Sequence, residues 1–572
     1  MSKNLPSYEV KSLYEHIERA AKLFGEHSVF RFNREGENEV GVLYKEFFEL
    51  MQKMTLAFNK LNIKDQKVVV MGETSVQWIA TYLGVVSAGG VIIPLDPGCL
   101  EDEILNFIKL SDAKIVVYSK TFEKLFSERG NELEKVEKFV KMDKVTFTLD
   151  PEEAYNPDEK YTGFNNILSL GKELYNTEKD TFDFHNQDSE KLSILLFTSG
   201  TTGTSKGVML NQRNICAVMK DIHPVLTPIC TEDRLLCVLP IHHTYEMSAG
   251  ILAPMIYGAE MCISDGIKYV SKNLKQFKPT VMVLVPLFVQ TFHKTILKNV
   301  KKMGMEGKFN FGRKVVKILP FLKKKLFARV LEAFGGCIKY LIVGGAALNP
   351  EIVDFFRSLG IQVSQGYGIT ECAPLISVVP LDVYNPTSCG KLMPGLEIRI
   401  DKEKPEDNYG EIVVRGQNVM LGYYNAPELT AEVLSEDGWF RTGDYGYIDK
   451  KNYIYITGRK KNIIIASNGK NVFPEEIEEY INEIPYVSEV VVVGREDKEK
   501  DEVKIVAIVV PNMEECEAAG FNDDEVIYEA INSEITKINK NLVVYKHIDL
   551  VELRKEPFEK TAARKIKRFL VK

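Results

Sequence analysis

Short apolar runs alternate with helix-length segments along most of this 572-residue chain. "KVVVMG" (67–72), "GGVIIPLD" (89–96), "AKIVVYS" (113–119) and "VMVLVP" (281–286) are near-continuous rather than alternating, so they read as largely buried strands. "SVQWIATYLGVVSAGG" (75–90) has helical spacing and stops at paired glycines, as a helix entering a strand should. The pattern predicts layered α/β architecture. With 45% hydrophobic and 27% charged residues the chain can bury a substantial core, and its length points to two or more domains.

Near the end, "NVFPEEIEEYINEI" (471–484) predicts a new helix, with Pro474 near its first turn and Glu475 and Glu476 complementing the positive end of the dipole. "SEVVVVG" and "VKIVAIVVP" follow as strands. This is a small α/β unit of its own behind the basic joint "TGRKKN" (457–462), and the boundary is placed near Lys461, giving domains 1–460 and 461–572.

Charge excludes one class of partner. A formal charge of -7, from 73 basic and 80 acidic residues, leaves no global positive field for nucleic acid. Nine scattered cysteines without a Cys-x-x-Cys pair, and an N-terminal stretch without the apolar core of a secretory signal, predict a cytoplasmic protein. Apolar stretches such as "TVMVLVPLFVQTF" fall short of the roughly 20 residues a membrane-spanning helix needs, so a soluble or membrane-peripheral protein is expected. Between Lys294 and Arg329 twelve Lys or Arg face one acid, Glu306, with "VVKILPFL" interleaved. This segment reads either as a solvated helical face or as a contact for anionic lipid headgroups.

"LLFTSGTTGTSKGVML" (195–210) turns from an apolar strand into Ser, Thr and Gly, ending at Lys206. Consecutive small residues let a backbone approach an anion closely, and hydroxyls and Lys206 add donors and charge. The loop sits between "SILLF" and a helix-like "NQRNICAVMK", a setting unlike that of a linker. It is no Walker loop, because Gly207 follows Lys206. In "GYGITECAP" (366–374), Tyr367 can face a purine, Thr370 is a hydroxyl donor and Glu371 a hard oxygen ligand suited to Mg²⁺. "DGWFRTGDYGYID" (437–449) places Asp444 in a glycine-flanked turn, able to accept ribose hydroxyls, with Arg459 following in "TGRKKN". Singly, the last two read equally as turns with structural acids.

Together these segments resemble the adenylate-forming superfamily of acyl-CoA synthetases, nonribosomal adenylation domains and luciferases, most nearly the bacterial long-chain fatty acyl-CoA synthetases. "YLGVVSAGGVIIPLDP", "LPIHHTYEM", "VGGAALNPEI", "VVRGQNVMLGYYNAPELT", "GRKKNIIIASNGKNVFPEEIE" and "EKTAARKIKR" extend the resemblance over nearly the whole length. It implies a large N-terminal domain of layered α/β and β subdomains and a small mobile α+β C-terminal domain. Thr198, Ser199, Gly200, Thr201, Thr202, Gly203 and Lys206 would line the triphosphate site. Tyr367, Gly368 and Thr370 would take the adenosine side, Glu371 magnesium, and Asp444 and Arg459 the ribose.

The resemblance also makes Lys461 a hinge and Lys565 the adenylation lysine, although Arg564 stands where the family commonly has Gly and Lys560 and Lys567 compete. His243, with His242 beside it as a rival, and Gly345 would face the acyl pocket; Gly469 would approach the pantetheine of CoA. The implied activity is ATP-dependent, AMP-forming ligation of a fatty acid to CoA through an acyl-adenylate. ATP, fatty acid and CoA are the implied partners and Mg²⁺ the cofactor; a homodimer is left open. The rival readings are an acyl-AMP ligase loading an acyl carrier protein, a luciferase-like oxygenase, and a catalytically silent nucleotide-binding module.

Overall fold

A computed structural model describes residues 5–34, 39–198, 206–466, 470–497, 502–560 and 566–571. The chain forms two compact units, the first from the segments up to Thr198, Lys206–Glu397 and Arg415–Gly438, the second from Ile398–Val414 and from Trp439 onward.

Two sheets build the first unit. One is eight-stranded, in the order Gly422–Tyr423, Lys206–Asn211, Leu192–Thr198, Val91–Leu95, Lys67–Met71, Ile115–Ser119, Lys138–Met142 and Tyr161–Gly163. From Leu192–Thr198 outward its pairings are parallel, whereas Lys206–Asn211 and Gly422–Tyr423 add antiparallel. The continuous apolar runs are explained by burial on both faces: Val68, Val69, Val70 and Met71 have no exposure. Phe126, Phe139, Ile108 and Leu105 pack with Val69, Ile93 and Val116 in one core, each large side chain contributing about 1.5–3 kcal/mol by leaving water.

The helix expected after "KVVVMG" spans Val76–Ser87, starts where the Ser75 hydroxyl accepts from Trp78 N at 3.2 Å, and is buried along every residue. A helix that is apolar on all sides belongs inside a layered domain. It stops at Gly89, whose φ of +78° only glycine adopts readily.

The second sheet is nine-stranded. Its middle strands Gln362–Tyr367, Tyr340–Val343, Val281–Leu284, Arg234–Cys237, Glu260–Ile263 and Ser28–Asn33 are parallel neighbours, so their carboxyl ends share one edge.

The second unit holds a four-stranded sheet, which includes Gly410–Gly416, Phe440–Ile448 and Ile454–Arg459, and a three-stranded sheet of Val487–Asp497, Glu502–Pro511 and Leu550–Leu553. Helices Pro474–Ile481 and Asp524–Asn539 bury Ile477, Ile481, Ile527 and Ile531 against Val490 and Ala507. Compactness thus divides the chain elsewhere than at 460/461. Val414↔Phe440 and the hairpin pairing Asp444↔Arg459 tie the small sheet together, and it groups with the C-terminal part. Among the described residues no helix is long and apolar enough to cross a membrane.

Candidate functional site

Leu192–Thr198 and Lys206–Asn211 form an antiparallel hairpin in which Thr198 lies opposite Lys206, the Thr198 hydroxyl donating to the Lys206 carbonyl at 3.4 Å. The Ser/Thr/Gly loop therefore joins two strands, and the helix Gln212–Ile222 comes only after the second. Ser199, Gly200, Thr201, Thr202 and Gly203 lie outside the described residues, as do Gly469 and Lys565.

From the end of that hairpin the Lys206 ammonium sits 4.6 Å from the centroid of the Tyr423 ring. The Tyr423 hydroxyl in turn donates to Glu371 Oε1 at 3.0 Å. Three segments build this cluster. Tyr423 is placed by the short strand Gly422–Tyr423, which pairs along Lys206–Asn211 with Tyr423 opposite Val208. Glu371 is placed by a single 3-10 turn, Thr370–Cys372, after Gln362–Tyr367. The turn is pinned by Met420 N donating to the Glu371 carbonyl at 2.9 Å and by the Asn418 amide donating to Cys372 and Leu375 carbonyls at 2.9 and 2.7 Å. A cation, an aromatic ring and a carboxylate so arranged can hold polyphosphate on one side and present a hard oxygen on the other.

Tyr423 was not singled out from the sequence. It sits inside "LGYYNAPELT", where neither periodicity nor a neighbouring acid marks it, and its partner Glu371 is 52 residues away.

Tyr367 ends its strand, paired with Ser377 and buried. Gly368 follows because a Cβ there would come within 1.6 Å of the Pro374 carbonyl oxygen. His243 and Gly345 follow Arg234–Cys237 and Tyr340–Val343, two strands of the same parallel set separated by Val281–Leu284, so with Tyr367 they stand at one carboxyl edge, where open α/β sheets bind ligands. The Tyr245 hydroxyl, bridging the Leu284 and Ile342 carbonyls at 3.3 and 3.2 Å, fixes this corner. The two histidines differ. His242 is buried, 3.6 Å from Asp96, and burial lowers its pKa to about 4, whereas His243 is half-buried with its ring centroid 4.2 Å from that of His242.

Glu246 is a second residue that sequence reasoning missed. It opens the π-helix Glu246–Leu252, is 1% exposed, and neither carboxylate oxygen has a conventional hydrogen-bond partner. Burial pushes its pKa up to about 8, offset slightly by the Cys237 thiol, so at neutral pH it is mostly protonated. Its carboxyl folds over Gly250, where a Cβ would approach it to 2.7–2.9 Å. A buried acid with no Lys or Arg close in sequence leaves no signature in the letters.

On the second unit Asp444 is not in a turn. It lies within the strand Phe440–Ile448, opposite Arg459 on Ile454–Arg459, and Arg459 Nε is 2.8 Å from Asp444 Oδ1. The glycine that suggested a turn, Gly443, instead lets the strand take a φ of +69°. The carboxylate is buried, and its backbone N–H donates to the Thr442 hydroxyl at 3.1 Å. Lys461 is exposed in the 3-10 turn Lys460–Asn462, flanked by the Lys460–Glu411 ion pair at 3.0 Å and by the Asn462 amide donating to Glu475 at 2.5 Å. Among the described residues no group of three or more His, Cys, Asp or Glu forms a metal cage.

Comparison with known proteins finds relatives along nearly the whole chain. The long-chain-fatty-acid-CoA ligase ACSBG2 of Rattus norvegicus is 26% identical over 603 residues, covering 96% of this chain and 88% of its own. The chloroplastic long-chain-fatty-acid-acyl-carrier-protein ligase AEE15 of Arabidopsis thaliana is 27% identical over 553 residues, covering 86% of this chain and 74% of its own. Among solved structures, the anthranilate CoA ligase AuaEII in complex with anthranoyl-AMP shares the fold with a TM-score of 0.75 at 18% identity, covering 100% of this chain and 98% of that one. Residues 461–571 match the AMP-binding enzyme C-terminal domain. With residues 17–424, most of the chain, matching the AMP-binding enzyme family itself, the chain belongs to that family.

Proposed function

We propose that the chain is an ATP-dependent, AMP-forming ligase that joins a long-chain fatty acid to CoA through an acyl-adenylate. The observation that carries the reading is the Lys206–Tyr423–Glu371 cluster at the mouth of the hairpin, in a member of the AMP-binding family.

A carboxylate resists thiol attack because its charge is delocalised and oxide is a poor leaving group. Attack of a carboxylate oxygen on the α-phosphorus of ATP forms a P–O bond and breaks the bond to pyrophosphate, giving a mixed anhydride. Lys206 holds polyphosphate charge near the hairpin, and its ring contact with Tyr423 keeps the ammonium from swinging into solvent. Thr198, Ser199, Gly200, Thr201, Thr202 and Gly203 add hydroxyl and backbone donors in this reading. Glu371 fits magnesium: Mg²⁺ takes one or two carboxylates and completes its shell with water and substrate phosphates. When bound, the metal neutralises charge that builds on phosphate oxygens.

In the same reading Tyr367, Gly368 and Thr370 border the adenine, and Asp444 accepts the ribose hydroxyls. Arg459 orients the Asp444 carboxylate. Lys565 donates charge during adenylation and is withdrawn by rotation at Lys461, freeing space for thiol attack with AMP as the leaving group. His243 and Gly345 border the acid, and Gly469 the pantetheine arm.

A carrier-protein acceptor stands as a second reading because the two relatives above, similar to nearly the same degree, are named for different acceptors. Incubation with palmitate, Mg²⁺ and ATP, with either CoA or a phosphopantetheinyl carrier protein, separates them. Acyl-CoA, AMP and pyrophosphate in equal amounts are expected with CoA. Acyl transfer to the carrier alone favours the second reading, and absent acid-dependent ATP–pyrophosphate exchange overturns both.

A further inference from the structure

Helix Pro286–Lys302 buries Val289, Ile296 and Val300, and helix Glu306–Ile318 buries Phe309, Gly312 and Val316. The second helix is anchored firmly on that side. The Phe309 ring lies 5.4 Å from that of Phe327 and 6.0 Å from that of Phe355, and Arg313 stacks 4.8 Å over Phe355 while donating to the Ser358 hydroxyl at 2.9 Å.

At 100° per residue, Phe311, Lys314 and Ile318 then face roughly away from the anchored stripe. Phe311 is 69% exposed and Ile318 81%, and Phe321, in the turn that follows, is 77% exposed. Leu319, Leu326 and Met303 are further large apolar side chains left exposed in the same segment. Lys308, Lys314, Lys317, Lys325 and Arg329 surround it, all exposed. Large apolar side chains so far from the core gain nothing from folding, and grouped exposure of this kind marks an interaction surface.

We propose that this ridge docks on an anionic lipid bilayer, with Phe311, Ile318 and Phe321 entering the boundary of the acyl chains and the lysines meeting headgroups. The occupant follows from charge complementarity: with twelve basic residues against one acid over 294–329, and Lys308, Lys314, Lys317, Lys325 and Arg329 exposed, the surface suits an anionic partner. The protruding rings, standing among lysines whose stems can lie along an interface, favour a lipid surface over an acidic protein. The benefit to catalysis, collection of a substrate that partitions into bilayers, rests on the fatty-acid reading; the docking itself does not.

Co-sedimentation of the full chain with vesicles tests it. Binding is expected to vesicles containing phosphatidylglycerol and not to phosphatidylcholine alone, and to weaken with salt. Lys308→Glu, Lys314→Glu, Lys317→Glu and Lys325→Glu together are expected to lower binding about tenfold or more, since each lysine near an anionic surface contributes separately. Phe311→Ser with Phe321→Ser is expected to lower it as well. Glutamine at the same four lysines, and ATP–pyrophosphate exchange with octanoate, check that the variants are folded. Absence of binding by the unaltered chain, undiminished binding by the reversed variants, or full binding by the serine pair overturns the proposal. The vesicle assay contains no substrate, so it fails or succeeds independently of the ligase reading.

Discussion

Glutamine at position 246 isolates the cost of burying an acid. In the native chain Glu246 titrates near pH 8, pushed up from 4.5 by burial, whereas in the unfolded chain it regains its ordinary value. Between those values the unfolded state has released its proton while the native state retains it. Stability therefore falls as pH rises through this window, by up to about 1.4 kcal/mol per pH unit. The full penalty is absent below the unfolded value and reached above the native one. From pH 5 to pH 8 the change amounts to about 3 kcal/mol from this side chain.

Glu246→Gln keeps the shape and removes the titration. Any fixed cost of the buried amide shifts its stability equally at every pH. His16 and His242, both buried with pKa values lowered to about 4, titrate alike in the two proteins and drop out of the difference. Thermal unfolding of the pair at several pH values reads the effect. The melting temperature of Glu246→Gln relative to the native chain should rise by several degrees from pH 5 to pH 8. An infrared band of a protonated carboxyl, present at pH 7 in the native chain, should weaken in the variant. Two unfolding curves running parallel across that pH range would refute the argument.

Tyr423→Phe keeps the ring beneath the Lys206 ammonium and removes the hydroxyl that meets Glu371; a lost hydrogen bond to a charged group, about 1.5–3 kcal/mol, predicts at least a tenfold fall in kcat/KM for ATP–pyrophosphate exchange. Unchanged exchange removes Tyr423 from the site. Asp444→Asn should narrow the discrimination between ATP and 2′-deoxy-ATP, measured by competition in the same exchange reaction, and equal discrimination in both proteins contradicts the ribose assignment. Lys565→Ala should lose most adenylate formation yet convert supplied acyl-adenylate to thioester, whereas Lys461→Pro should do the reverse; equal loss of both half-reactions in either variant rejects two alternating arrangements.

The strands and the long buried helix were legible because burial on both faces writes itself as uninterrupted apolar letters, as in "KVVVMG" and "SVQWIATYLGVVSAGG". Lys206 and Glu371 were legible because small residues or glycines around a charge mark backbone built for close approach. What escaped depends on which strands pair. Asp444 was expected in a turn because local letters cannot tell a turn glycine from one that lets a strand bend, and only its pairing with Arg459 decides. The small sheet joins Gly410–Gly416 to Phe440–Ile448, and the strand pairing that does so is not written in either segment alone. Tyr423 and Glu246 owe their surroundings to residues that the fold, and not the sequence order, brings near.

The strand that carries Tyr423 is only two residues long, and it closes the outer margin of the eight-stranded sheet. Its own outward face is closed in turn, for the Tyr423 N–H donates to the Thr430 hydroxyl at 2.9 Å instead of remaining open to a foreign strand. If Tyr423 serves the nucleotide as proposed, nucleotide capture and resistance to clumping are joined in one short stretch. A lesion that frees residues 422 and 423 would uncover "KGVMLN" for pairing between molecules while it removes Tyr423 from the proposed phosphate site, so on that reading inactive chains of this kind should also be the ones that precipitate.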